Sequence, residues 1–420
     1  MESDILTYLK SRGVVAAQTH PELDEFLANN KVTLYTGFDP TSESMHIGNL
    51  SAIITLMRFQ KYGHKPIALV GGGTGLIGDP SGRDKERQLD TIEEVQRRGE
   101  LIRKQLSRFL RFGDGPSDAL MLNNYEWIKE LSVVSFLRDI GKHFRVQDMI
   151  SRESVKRRLE SQEGISFTEF SYQILQSYDF LYQFLHYDCV LQAGGSDQWG
   201  NITAGTDLIR EVTGKQAYGL VTHLITRSDG RKFGKSEAGT EESIWLDAER
   251  TSPFDFYQFW MGVDDRDVLG YILSFTEIEG EEFADLRHAT AAMPEKRLAQ
   301  RRLAFEVTKM VHGEAAATEA ESRSGRIFNR LVDTEQIITP NSEISRQEIE
   351  SGITIAQAFV RAKLTRSNGE AYRKAKEGAI WINDLKIDDA SQKLYIKDFN
   401  NSDLCFLRFG KKKIHVLKLK

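Results

Sequence analysis

Three places in the sequence bring together side chains whose types and spacing suit phosphate chemistry or recognition of a small polar molecule. The first is His46-Ile-Gly48-Asn49. It lies where an apolar strand around Val32 and Leu34 gives way, through the turn residues Gly37, Asp39, Pro40, Thr41 and Ser42, to a helix marked by Leu50, Ile53, Ile54 and Met57. Such a helix start in an α/β sheet binds phosphate, because its first N–H groups lack internal partners and the helix dipole favours anions. His46 can donate to a phosphate oxygen there, and Gly48 lets a flat base or phosphate approach the backbone. An ordinary strand–loop–helix with a surface histidine carries the same letters. The second place is Tyr172, Gln176 and Asp179, which share one face of a helix expected over Phe167–Leu185. The rest of that helix carries Phe167, Phe170, Ile174, Leu175 and Phe180, so a polar stripe is costly if buried without partners. It marks either a solvated edge or a face built for a polar ligand. The third is Lys232-Phe-Gly-Lys235-Ser236, a basic loop able to close over a triphosphate. It lacks the first glycine of a G-x-x-x-x-G-K-[ST] phosphate loop.

Two further stretches bear on the same chemistry. Arg83, Lys85 and Arg87 form a basic segment suited to lie over phosphates. Gly73-Thr-Gly75-Leu-Ile-Gly78 matches the dinucleotide fingerprint, which keeps a nicotinamide-dependent oxidoreductase under consideration. Pro80 weighs against it, because it pushes Asp79 away from helical geometry where a fingerprint opens a long helix. The glycines read instead as a tight turn bringing Asp79 to the C-terminal end of a strand.

A parallel sheet has to position these groups. The strand before Asp39, a helix over Leu50–Tyr62 and a strand from Lys65 to Val70 make a strand–helix–strand unit. Short helices over Asp4–Arg12 and Pro21–Asn29 precede it. A charged helix over Thr91–Phe112, a strand end over Asn123–Trp127, an amphipathic segment over Val133–Ile150 and a polar helix over Ser151–Ser161 follow. The sheet resumes near Cys189 with Val190-Leu-Gln-Ala-Gly-Gly, so the helical excursion is an insertion whose apolar surface suits a dimer interface. Ser196 or Asp197 is expected to cap the next helix, and Leu220–Leu224 is a further strand. Ser252–Asn329 is helical, with Pro253 at a first helical position. Leu331–Gln347 reads as a connector. From Ile353 the chain is a small mixed domain, in which a helix over Ser367–Lys376 stops at Gly378 before a hairpin.

The 420 residues accommodate two or three domains, with no apolar run long enough to span a bilayer. The acidic start Met1-Glu-Ser-Asp is unlike a signal peptide. Two distant cysteines, Cys189 and Cys405, have no metal spacing and fit a reduced cytoplasmic protein. The net charge of -5 hides an asymmetry: residues 351–420 carry 15 Lys+Arg against 7 Asp+Glu, a balance of +8, and the remainder carries -13. An acidic body with a basic tail suits a polyanion held at one end. A solvated basic surface without a partner has the same composition.

Taken in order, Tyr35–Leu50 with His46-Ile-Gly48-Asn49, Gly194-Gly-Ser-Asp197-Gln198-Trp-Gly-Asn, and Lys232-Phe-Gly-Lys235-Ser236 resemble the signatures of class I aminoacyl-tRNA synthetases. Ile165-Ser-Phe-Thr-Glu-Phe-Ser-Tyr172, continuing to Gln176 and Asp179, resembles the tyrosine-specific bacterial family of that class. The resemblance runs essentially the full chain, and the basic tail is similar to a small RNA-binding module also found in a ribosomal small-subunit protein. One position departs: Asn49 stands where the first signature usually ends in a second histidine, and asparagine can still donate a hydrogen bond.

The resemblance implies a Rossmann-like parallel sheet with a helical insertion, then an α-helical domain and a small α+β RNA-binding domain. Residues 1–230 would form the catalytic domain with its dimerisation insertion, 231–251 the lysine loop and connector, and 252–330 the helical anticodon-side domain. A linker over 331–350 would lead to the RNA-binding domain, 351–420. The implied activity is ATP-driven formation of tyrosyl-adenylate and transfer of tyrosyl to the 3′ end of its tRNA, without a covalent enzyme intermediate. His46, Asn49, Lys232, Lys235, Arg83 and Arg87 would be catalytic, the two lysines and two arginines as a cationic clamp on pyrophosphate. Gly37, Asp39, Thr41, His46, Gly48, Gly195, Asp197 and Lys235 would bind ATP. Tyr35, Asp79, Tyr172, Gln176, Asp179 and Gln198 would bind tyrosine, with the phenol end at Tyr35 and Asp179. ATP would be the substrate, accompanied by Mg2+ rather than a dedicated protein metal site, and the enzyme would be a homodimer with no membrane association. A catalytically silent RNA-binding relative is the other reading open at this point.

Overall fold

The computed structural model describes residues 4–81, 89–160, 164–226, 228, 243–328, 341–383, 385–399, 403–410 and 413–420. The chain divides into two compact units, Met1–Glu321 and Ser322–Lys420.

The first unit is built on a six-stranded sheet. β1 (Val15–Gln18), β2 (Thr33–Phe38), β3 (Lys65–Val70), β4 (Leu120–Asn123), β5 (Cys189–Gly195) and β6 (Tyr218–Thr222) lie in the order β1-β6-β5-β2-β3-β4. All neighbours are parallel except β1, which runs antiparallel on β6. β2 leads outward through β3 and β4 on one side, and the chain returns to β5 and β6 on the other. The order therefore reverses between β2 and β5, and in open α/β sheets ligands bind at the carboxyl ends of strands at such a reversal. β3 is buried from Pro66 to Val70, as expected of a central strand covered on both faces.

The crossover helix Ile47–Lys61 starts at a capping box: the His46 side chain accepts from the Gly48 N–H, and the Asn49 side chain accepts from the His46 N–H. It buries Leu50, Ile53, Ile54, Leu56 and Phe59. The helix Phe167–Tyr187 is capped by Ser166 and ends at Asp188 in the left-handed region. The glycine stretch after β3 forms a 3-10 turn, Thr74–Leu76, with Gly78 at φ +89 and Asp79–Ser81 in no helix, and the next helix among the described residues is Ile92–Leu106. That arrangement is a turn, not the long helix of a dinucleotide fingerprint.

Several elements differ from expectation. Val15–Gln18 is a strand where none is expected, because Ala and Gln carry little strand preference and its pairing with β6 defines it. The charged helix ends at Leu106, not near Phe112. β4 stops at Asn123, and Tyr125–Ile128 turns into a short helix. The amphipathic stretch is broken into Val133–Ser135, a π turn Phe136–Ile140, a 3-10 turn Gly141–His143 and a helix Val146–Ser151. Neither Ser196 nor Asp197 caps the helix Trp199–Thr213, since a 3-10 turn over Ser196–Gln198 intervenes.

Helices Pro253–Met261, Asp265–Phe275, Gly280–Ala292, Leu298–His312 and Glu314–Phe328 follow. Phe256, Trp260, Phe275, Leu303 and Val307 join the core that also holds Leu50 and Ile53. Two guanidinium groups close the C-terminus of Asp265–Phe275. Arg12 donates to the carbonyls of Ile272, Leu273, Thr276 and Ile278, and Arg58 to those of Leu273 and Thr276 and to Glu277.

The second unit has a five-stranded sheet of β7 (Ser342–Ile344), β8 (Ile380–Ile382), β9 (Leu385–Ile387), β10 (Leu404–Phe409) and β11 (Lys413–Leu419), in the order β7-β11-β10-β8-β9. β7, within the stretch that reads as a connector, pairs parallel with β11. Helices Ile355–Arg361 and Asn368–Lys376 pack Phe359, Ala371 and Ala375 into a core with Ile380, Ile382, Cys405, Leu407 and Leu417. Gly378, at φ +72, ends the second of these helices. No helix among the described residues is long and apolar enough to cross a membrane.

Candidate active site

Two hydrogen-bonded networks meet where β2 and β5 end. The first begins at Asp39, just past β2. Its Oδ2 accepts from the Tyr172 hydroxyl at 2.8 Å and its Oδ1 from the Thr74 hydroxyl at 2.7 Å. A Cβ on Gly71 would lie 1.9 Å from Asp39 Oδ1, so only glycine leaves room for that carboxylate. The Asn124 amide then donates to Thr74 Oγ1 at 2.9 Å and to Asp179 Oδ2 at 2.7 Å, and its oxygen accepts from the Gly73 N–H at 2.7 Å. Trp127 Nε1 donates to Asp179 Oδ1 at 2.8 Å, and its indole stacks on Tyr182 with centroids 4.4 Å apart. Asp179 and Asp39 are thus joined through two neutral side chains.

Tyr35 stands beside this network on β2, fully buried, its ring 5.4 Å from that of Phe180. Its hydroxyl has no hydrogen-bond partner among the described residues. An unpaired buried hydroxyl is costly and calls for an explanation. Burial, opposed by the Asn124 and Trp127 donors, pushes the Asp179 carboxyl up to about 8. Burial and the charge of Asp179 push the Tyr35 phenol well up. Burial and the charges of Asp39 and Asp79 do the same to Tyr172.

The second network centres on Gln198. Its Nε2 donates to Asp79 Oδ2 at 2.8 Å, and its Oε1 accepts from Gln176 Nε2 at 3.3 Å and from Asn201 Nδ2 at 3.2 Å. Asn201 also donates to Gln176 Oε1 at 3.0 Å. Asp79 accepts from the Ser81 N–H at 2.9 Å as well. The adjacent Asp197 carboxyl is raised by burial, and a Cβ on Gly195 would lie 2.5 Å from its Oδ1. Gly37, by contrast, is exposed, and a Cβ there would meet nothing within 4 Å, so the backbone of β2 opens onto free space at that point.

His46 and Asn49 share the helix start with Gly48. His46 Nδ1 accepts from the Gly48 N–H at 3.0 Å, so the neutral ring carries its proton on Nε2, and burial lowers the imidazole's pKa. A Cβ on Gly48 would lie 2.7 Å from His46 Cε1. The glycine therefore also leaves room for the histidine ring. Asn49 Oδ1 accepts from the His46 N–H, which leaves its amide N–H groups as donors. The Thr41 N–H is bonded to the Asp39 carbonyl at 2.8 Å.

Of the residues singled out from sequence, Tyr35, Gly37, Asp39, Thr41, His46, Gly48, Asn49, Asp79, Tyr172, Gln176, Asp179, Gly195, Asp197 and Gln198 are described, and the hydrogen bonds above connect most of the polar ones. Arg83, Arg87, Lys232 and Lys235 lie outside the described residues. Thr74, Asn124, Trp127 and Asn201 were not singled out as site residues. Asn201 lies within a quoted signature. Thr74 lies within the quoted glycine stretch, and Asn124 and Trp127 lie in the segment read as a strand end.

Residues 27–329 match the family model of class I tRNA synthetases, W and Y. Residues 333–417 match that of the tyrosine--tRNA ligase SYY-like C-terminal domain. The chain belongs to the class I tRNA synthetases. It is 48% identical to the Tyrosine--tRNA ligase of Roseiflexus castenholzii, with 99% of each chain covered. It is 46% identical to that of Bacillus caldotenax, again with 99% of each chain covered. A solved structure of a C-terminally truncated mitochondrial tyrosyl-tRNA synthetase from Coccidioides posadasii is 32% identical, covers 76% of this chain and 92% of that one, and has a TM-score of 0.66. Within the class, these matches put the chain in the tyrosine–tRNA ligase family.

Proposed function

We infer that this chain joins L-tyrosine to tRNA(Tyr) in two steps, and that the networks around Asp179 and Gln198 are the two ends of its tyrosine pocket. In the first step a tyrosine carboxylate oxygen attacks the α-phosphorus of ATP, the bond to the β-phosphate oxygen breaks, and pyrophosphate leaves. In the second, a terminal ribose hydroxyl of the tRNA attacks the activated carbonyl and AMP leaves. The protein supplies no nucleophile, so its work is alignment and stabilisation of charge developing on phosphate. The tyrosine ammonium sits near Asp79, Tyr172 and Gln176, and the carboxylate near Gln198. Gly37, Asp39, Thr41, Gly48, Gly195 and Asp197 line the ATP site. His46, through its Nε2–H, and Asn49, through its amide N–H groups, donate to the nucleotide. Lys232, Lys235, Arg83 and Arg87 neutralise the departing pyrophosphate, and Mg2+ enters with ATP. The chain acts in the cytoplasm as a homodimer.

The observation that carries the tyrosine reading is the buried Tyr35 hydroxyl, without a partner among the described residues, beside Asp179. A substrate phenol completes the set: it donates to the carboxylate and accepts from Tyr35. Phenylalanine would leave both groups buried and unpaired. The general magnitude for rejection of this kind, roughly 10⁵-fold, was itself established on a tyrosyl-tRNA synthetase. Tyrosine-dependent ATP–pyrophosphate exchange, measured beside phenylalanine, tests this. Tyr35→Phe is expected to lower discrimination modestly, because Asp179 still accepts. Asp179→Ala is expected to abolish tyrosine activation or nearly so. Wild-type preference in Asp179→Ala would mean the hydroxyl is read elsewhere, and no exchange by the wild type would remove the activity itself.

A further inference from the structure

We infer that Trp245, backed by Arg250, is a positioning residue for His46, holding the imidazole in the orientation that presents Nε2–H to the nucleotide. This rests on the reading that His46 donates to ATP. The Ile47 N–H donates to the Ile244 carbonyl at 3.0 Å, and the Leu246 N–H to the Met45 carbonyl at 2.9 Å. His46 and Trp245 are thereby directly opposite in an isolated antiparallel bridge. Bonds made by the flanking residues define the non-hydrogen-bonded kind of pair, in which opposed side chains come closest. The two rings meet with centroids 6.1 Å apart at 61°. Gly48 closes the other side, where a Cβ would fall 2.8 Å from Nδ1. The ring is held between a backbone without a side chain and the indole.

Trp245 is itself fixed. Its backbone N–H donates to Thr251 Oγ1 at 3.0 Å, which holds the main chain, and the Arg250 guanidinium lies over the indole, 5.6 Å from its centroid. Arg250 pairs with Glu43, which also takes Arg97 at 2.5 Å. Those ion pairs are more than a third exposed, so each contributes little, and the indole contact outweighs them. The clip therefore ties the His46 segment to the chain just after the lysine signature, and Trp245 carries most of its effect.

The test is single-turnover tyrosyl-adenylate formation by the full chain, with tyrosine and ATP dissociation constants and melting temperature measured alongside. His46→Asn keeps the cap, since asparagine accepts the same N–H, while removing the imidazole. Trp245→Ala is expected to slow activation about tenfold, with both dissociation constants within about twofold. Trp245→Phe is expected to restore most of the rate, and Arg250→Ala to cost under about threefold. In the His46→Asn background, Trp245→Ala is expected to have no further effect. If Trp245→Ala does not fold, Trp245→Leu, which fills the space without a ring edge, takes its place in the cycle. A His46→Asn variant that is slow, but slowed again by the full Trp245 factor, would overturn this inference alone. A His46→Asn variant at the wild-type rate would overturn the reading of His46 beneath it.

Discussion

Asp179 concentrates the electrostatics of the pocket in one carboxyl group. It is buried, takes two neutral N–H donors, and is pushed up to about 8 from an ordinary value of 3.8. Between those two values the folded chain holds a proton that the unfolded chain has released. Stability therefore declines as pH rises through this window, because the folded state binds more protons. The melting temperature of wild type minus that of Asp179→Asn is expected to fall as pH is raised from 5 to 8 without tyrosine, and calorimetric melts across that range check it. A flat difference would mean that Asn124 and Trp127 outweigh burial and keep the group ionised throughout. The Tyr172–Gln176–Asp179 stripe was legible from sequence because helical spacing alone puts it on one face. Asn124 and Trp127 were not, because their role depends on a four-residue helix that turns back toward Asp179 after β4.

The joint between the N-terminal helix Ile5–Ser11 and the helix Asp265–Phe275 depends on Arg12, which ends the first of them. This side chain is buried and donates to four carbonyls around the C-terminus of Asp265–Phe275, where intrahelical partners run out. Hydrogen bonds from a charged group contribute about 1.5–3 kcal/mol each, and carbonyls left buried and unpaired add a desolvation cost. Arg12→Ala is expected to lower stability by at least about 3 kcal/mol, and Arg12→Lys to recover only part, since a single ammonium cannot reproduce the planar fork. Urea unfolding of the three proteins checks this, and a loss near zero would show that Arg58 alone satisfies the helix end. The elements whose own pattern determines them were legible in sequence: β3 as an apolar run, Ile47–Lys61 by its period, and Pro253 at a helix start. Elements defined by a partner were not. Val15–Gln18 exists because β6 offers an edge, and Ser342–Ile344 because β11 does. Val133–Ser151 is divided among short helices and turns, with Ile140 and Met149 buried while Val133 is 73% exposed and Val134 70%.

That uncovered surface and the charge division together set what the molecule has to meet. Val133, Val134, Leu137 and Val146 are apolar and exposed in one short stretch of the insertion, which supports a second copy as the occupant. Val134→Asp combined with Leu137→Asp is expected to give monomers at micromolar concentration in sedimentation velocity; an unchanged dimer would place the interface elsewhere. The other surface belongs to the tail. Residues 351–420 carry +8 on a chain that is otherwise -13, and the unit Ser322–Lys420 has a core of its own. Every described residue of the two hydrogen-bonded networks lies within Met1–Glu321. A chain ending at Asn341 lacks the whole C-terminal sheet, since β7 begins at Ser342. It is expected to form tyrosyl-adenylate at close to the full-length rate and to bind tRNA(Tyr) more weakly. Lysines and arginines on phosphates release counterions, so the full chain's affinity falls more steeply with salt, by roughly one unit of log–log slope for each phosphate contact the tail makes. Filter binding from low to moderate salt reads both slopes. Parallel slopes with equal affinities at low salt would show that the basic tail does not hold the RNA, and its charge would then be solvated surface.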